Sequence, residues 1–203
     1  MEILFGLKHD QITLLTRKQE IKIMKKMKII SPEDTKQIIL SGLFSAIAFV
    51  LPIIFHLINL GSIFLPMFLP IVMLAYLVKL RFVLVVSIIV PIFSTLTTGM
   101  PPIYPPIFLV MIVELSMISM TISLIYRKFK YPWYIALIAS AIVDRLTLAL
   151  LIYLLLKVFQ VKGLILSIPF ILKGLPGIAL QFFVIPIFLK LYKQRYNKDI
   201  TAN

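Results

Sequence analysis

The sequence predicts an all-α, polytopic membrane protein, a six-transmembrane-helix bundle with both termini cytoplasmic. Three observations carry that reading: a large apolar excess, a series of apolar runs broken by Pro, Gly and charge clusters, and alternating charge across those breaks. Hydrophobic residues make up 61% of the chain and charged residues 14%, with a mean hydropathy of +1.04. That leaves too little polar surface to coat a water-soluble globule, so the solvent is lipid.

The elements follow in order. Residues 1–36 mix Lys, Arg and acids with scattered Ile and Leu, the pattern of a basic cytoplasmic segment lying on anionic lipid. The plainer reading is a dispensable tail, with Met24 or Met27 as an alternative translation start. No apolar core long enough for a cleavable signal is expected there. Ser31-Pro32-Glu33-Asp34 reads as a helix start: Ser31 caps, Pro32 takes the first helical position and acids fill the first turn.

Apolar runs then cover Ile38 to Leu60, Ile63 to Val78, Phe82 to Thr98, Pro106 to Tyr126, Trp133 to Leu156 and Leu164 to Leu189. A helix of roughly 20 residues crosses ~30 Å of hydrocarbon, so the second and third runs are short. The sixth is expected to kink or break at Pro176, where a proline removes a backbone donor. The organisation predicted is a basic N-terminal segment (1–36), a six-helix membrane domain (37–192) and a basic cytoplasmic tail (193–203). No internal repeat divides the chain.

Charge tests the topology independently of hydropathy. Eight basic residues precede the first run; Lys79 and Arg81 follow the second, Arg127, Lys128 and Lys130 the fourth, and Lys190, Lys193, Arg195 and Lys198 the sixth. The breaks after runs one and three hold none, and only Lys157 and Lys162 fall on the outer side. The net charge of +13 therefore marks topology and lipid contact; no nucleic-acid partner is expected. The absence of cysteine excludes disulfides, thiolate metal sites and cysteine nucleophiles. Neither a cofactor nor a metal is expected.

Ionisable groups inside apolar runs cost about 2.5–3.5 kcal/mol each at the bilayer centre, so they are candidates for function. His56, Glu114, Asp144, Arg145 and Lys173 are such residues. Glu114, Arg145 and Lys173 reach a similar depth in the outer half on three different runs, which fits a pocket for a small polar ligand whose carboxylate or phosphate meets Arg145 or Lys173. The plain alternative is mutual neutralisation, since two acids and two bases sum to zero. Asp144, about 100° around the helix from Arg145, is not expected to face the same target. His56 lies a turn from Asn59 near the outer end of its run.

Prolines gather on the outer side: Pro66 and Pro70, Pro101-Pro102 and Pro105-Pro106, and Pro176. Non-helical backbone at that depth persists where protein or a water-filled cavity satisfies it, so the first two groups read as a lid or pocket wall, or as rigid turns. Met100 and Tyr104 are placed to stack on an aromatic ligand. On the first run, Ser41 with Ser45 and Gly42 with Ala46 form overlapping small-xxx-small patterns that admit another helix, within the chain or outside it.

From Phe64 to Pro106 the chain carries Pro66-Met67-x-x-Pro70, then Ser94 and Thr98-Gly99-Met100-Pro101-Pro102, followed by the Glu114 helix. With the six runs, this stretch resembles the substrate-binding S component of an energy-coupling factor (ECF) transporter, over about residues 36–192. The resemblance implies an ABC-type importer of a small water-soluble vitamin or vitamin precursor in a prokaryotic cytoplasmic membrane, captured at the outer face by His56, Asn59, Met100, Tyr104, Glu114, Arg145 and Lys173. It turns Ser41, Gly42, Ser45 and Ala46 toward a transmembrane coupling subunit, with two ATPase subunits driving release. No GxxxxGK[ST] motif is present, so ATP would bind those partners and not this chain. The alternatives are an intramembrane enzyme using Glu114 or Asp144 with His56, for which no catalytic spacing such as HExxH or GxSxG is present, and a membrane scaffold with basic tails. No enzymatic activity is expected.

Overall fold

A computed structural model describes residues 31–57, 64–102, 106–159 and 174–201. The chain divides into a unit of residues 1–36 and a unit of residues 37–203. In the first, the Asp34 N–H donates to Ser31 Oγ at 3.1 Å and the Thr35 N–H to the Ser31 carbonyl at 2.9 Å. Ser31 therefore caps a helix that opens on Pro32, as the sequence pattern predicts.

Six α-helices are described: α1 (Pro32–Leu57), α2 (Phe68–Leu77), α3 (Leu80–Thr98), α4 (Ile107–Ile122), α5 (Trp133–Phe159) and α6 (Leu175–Thr201). A π-helical turn, Ser123–Lys128, extends α4. Among the described residues there is no strand. Five of these elements are long and apolar enough to cross a bilayer: α1, α3, α4 with its π turn, α5 to Leu155 and α6 to Gln194. The second run gives only the 10-residue α2, about 15 Å long and half the hydrocarbon thickness. The count is thus five potential spans and one short apolar helix.

The short helix occupies the middle of the bundle. Seven of its ten residues are buried, from Phe68 to Tyr76. Its Pro70 lies in the first turn, where the N–H has no intrahelical partner to lose. Around it pack α3, α4 and α6, and α4 in turn packs along α3 and α5. Val110, Leu148, Ile152 and Leu155 form a smaller core between α4 and α5.

Between α2 and α3 the chain turns in two residues, Val78 and Lys79, and the Lys79 N–H donates to Gln37 Oε1 of α1 at 2.8 Å. α3 ends on Gly99, whose left-handed φ of 69° terminates the helix while its N–H bonds the Thr95 carbonyl.

At α6 the expected interruption takes the form of a helix start: Gly174 is a turn residue and the helix begins at Leu175, so Pro176 falls in its first turn, where proline costs no hydrogen bond. Helix α5 continues to Phe159, past the expected end at Leu156, with Lys157 in its last turn; the expected start at Leu164 falls in residues 160–173, outside the described residues. Helix α6 also continues to Thr201, through most of the basic C-terminal segment.

Candidate functional site

A cavity of about 410 Å³ lies at the end of the bundle where α1 and α3 finish and α4 begins. Pro52 and His56 of α1 form one side, and Leu65, Pro66, Met67 and Phe68, leading into α2, form another. Ser94 and the segment Gly99–Pro102 close a third side, and α4 contributes Ile107, Val110, Met111 and Glu114. Arg145 and Leu148 of α5, with Gly174, complete the lining. The wall is therefore mainly apolar, with a few polar groups converging on it, the usual build of a small-molecule site.

Hydroxyls from the last turns of α3 fix the Met100–Pro102 wall. Ser94 Oγ donates to the Met100 carbonyl at 2.7 Å and Thr95 Oγ1 to the Pro101 carbonyl at 3.1 Å. The Met100 N–H is 3.3 Å from Thr98 Oγ1. These bonds satisfy irregular backbone beside an apolar cavity, where unpaired polar groups would be costly. The Met100–Pro101 peptide is cis.

Charge collects where α4 meets α5. Arg145 donates from Nε and Nη2 to Asp144 Oδ2, at 3.0 and 2.6 Å. Glu114, only 4% exposed, interacts electrostatically with both residues across the α4–α5 interface. Asp144 is buried, and its side chain also shares a hydrogen bond with that of Glu114. The sequence reading set Asp144 and Arg145 on different targets; instead they are each other's partner. Adjacent Cβ atoms do diverge by about 100°, but the arginine stem is long enough to fold its guanidinium back onto the neighbouring carboxylate.

Two glycines bring α6 against this site. A Cβ at Gly174 would lie 2.8 Å from Leu65 Cδ1 and 2.9 Å from Arg145 Nη1, so the missing side chain makes room for the guanidinium. A Cβ at Gly177 would lie 2.5 Å from the Phe64 carbonyl oxygen. Gly174 is the turn residue just before α6 and Gly177 lies in its first turn. The sequence reading saw Gly174 and Gly177 only as a break; the signal available was their spacing.

Of the predicted pocket residues, His56, Met100, Glu114 and Arg145 border this one cavity. Asn59, Tyr104 and Lys173 lie outside the described residues. On α1, Ser41 is buried and Ser45 half-buried, its Oγ donating to the Ser41 carbonyl at 2.6 Å. Gly42 and Ala46 are exposed, and nothing lies within 4 Å of a Cβ at Gly42.

Residues 36–189 match the family model of the ECF transporter substrate-specific component. The chain belongs to that family. Members are membrane-embedded, substrate-binding subunits of ECF transporters, not enzymes, and work with coupling and ATPase subunits on a small-molecule substrate. Comparison with curated proteins and with solved structures returned no match.

Proposed function

We propose that this ECF component captures a small water-soluble vitamin or vitamin precursor from the outer face of a prokaryotic cytoplasmic membrane. The observation that carries the reading is the 410 Å³ cavity in which Glu114 of α4 and Arg145 of α5 meet beneath an apolar wall. Apolar surface and the Met100 thioether take the body of the ligand, while the Glu114 carboxyl and the Asp144-bound guanidinium orient its polar group. His56, Asn59, Tyr104 and Lys173 complete the proposed contacts.

On this reading, delivery passes through a transmembrane coupling subunit and two ATPases in an ABC-type importer. The exposed pair Gly42 and Ala46 offers a close-approach surface on α1. Ser41, buried against the bundle, supports that surface from behind, with Ser45 between the two. Both termini are cytoplasmic in this topology.

The test is to purify the chain gently, extract its small molecules and identify them by mass spectrometry. Glu114→Ala and Arg145→Ala are each expected to lower retention of the identified molecule at least about tenfold, the loss of one charge-assisted contact of ~1.5 kcal/mol or more, while the protein still inserts. Unchanged retention in both variants would refute this pocket.

A further inference from the structure

A second concavity lies about 30 Å from the first, at the other end of α4. It has a volume of about 330 Å³ and is lined by Tyr76, Tyr126, Arg127, Lys130 and Tyr131. We propose that this groove binds a phosphate group, that of an anionic phospholipid seated where the span ends. The inference does not depend on the capture cavity.

Three features point there independently. The first is chemistry: two cations and the phenols of Tyr126 and Tyr131 surround one recess, and phosphate oxygens take hydrogen bonds from both kinds of group. The second is a rigid back wall. Tyr76 donates its hydroxyl proton to the Trp133 carbonyl at 3.0 Å, and its ring meets Tyr126 edge-on at 5.0 Å.

The third is backbone geometry. Helix α4 widens into a π turn over Ser123–Lys128, a form that recurs at functional positions. The turn is closed by the Phe129 N–H on the Leu124 carbonyl and the Tyr131 N–H on the Ile125 carbonyl. Between them Lys130 holds a φ of +61°, a left-handed conformation that favours glycine and is strained for lysine. This left-handed conformation ends the helix and holds Lys130 in the turn that borders the groove.

Location favours a lipid as the source of the phosphate. The apolar span ends at Lys128, and Trp133 and Tyr134 begin the next helix with their rings 5.8 Å apart, as aromatics do at headgroup level.

The experiment is native mass spectrometry of the full chain in mixed micelles holding equal phosphatidylglycerol and phosphatidylcholine, repeated with inorganic phosphate as competitor. Phosphatidylglycerol is expected to be retained preferentially, and Arg127→Gln and Lys130→Gly each to cut that preference about five-fold, the equivalent of ~1 kcal/mol per cation. Lys130→Gly also relieves the positive φ, so its thermal midpoint should rise while lipid preference falls; a rise in stability with unchanged lipid preference would assign Lys130 a structural role only and overturn the proposal. Displacement of the lipid by inorganic phosphate would keep the phosphate chemistry and assign a soluble source. Equal retention of the two lipids without any response to phosphate overturns the site, as does selective binding of a polyglutamate peptide alone.

Discussion

Helices α1 and α2 are built from similar apolar residues and have opposite surroundings. Over 26 residues α1 buries only Gln37, Ser41, Phe44 and Ala48, while α2 buries seven of ten. Large side chains such as Ile39, Leu43, Val50 and Leu57 stay exposed on α1, and it reaches its neighbours through long side chains: Phe44 meets Phe188 at 5.9 Å and Phe49 meets Phe93 at 5.2 Å. In lipid, apolar exposure carries no penalty of the kind water imposes, so close packing and not hydrophobicity decides which helix holds the centre.

That contrast is open to direct attack, beginning with the largest expected effect. Gly177→Ala would drive a methyl group into the Phe64 carbonyl, 2.5 Å from the ideal Cβ position. The backbone contact that seats α6 beside the start of α2 has to shift, at a cost of about 2–3 kcal/mol. A large fall in thermal midpoint in detergent is expected, with reduced ligand retention; an unaltered midpoint would show that α6 is not clamped there.

Next comes truncation of the two helices themselves. Leu74→Ala on α2, where Leu74 is fully buried, leaves a cavity and should cost about 2 kcal/mol. Leu43→Ala on α1, 56% exposed, lets lipid chains fill the gap and should stay within about 0.5 kcal/mol. Equal losses would erase the distinction between the two helices.

The smallest effect tests a polar link between α1 and the turn that follows α2. Gln37→Ala removes the acceptor for the Lys79 N–H and is expected to cost about 1 kcal/mol. Hydrogen exchange at Lys79 should quicken with little change at residues 71–76. Unchanged exchange would mean that water replaces the glutamine without loss.

Much of this architecture is legible in the chain. The cap at Ser31, the stop at Gly99 and the start of α5 at Trp133 follow from capping chemistry and the edges of apolar runs. Rare charges in apolar runs direct attention to Glu114 and Arg145, which the structure brings to one cavity. Other features are hidden for physical reasons. Hydropathy does not separate a lipid-facing leucine from one packed on protein, so the burial of α2 is not legible. Charge balance allows mutual neutralisation, but angular offset on a helical wheel ignores the reach of a side chain, so it does not single out Asp144 as the partner of Arg145. A glycine spacing does not say what backbone it will meet, and Phe64 lies far from Gly177 in sequence.

The bond between Asp144 and Arg145 has a consequence for biogenesis. Two opposite charges on consecutive residues travel through the insertion machinery together, before α4 or α6 need be in place. A lone arginine at that depth would have to wait for a distant counter-ion, whereas here α5 enters the bilayer as a locally neutral dipole. Arg145 thus carries a counter-ion on its own helix, and Glu114 of α4 meets the pair across the helix interface.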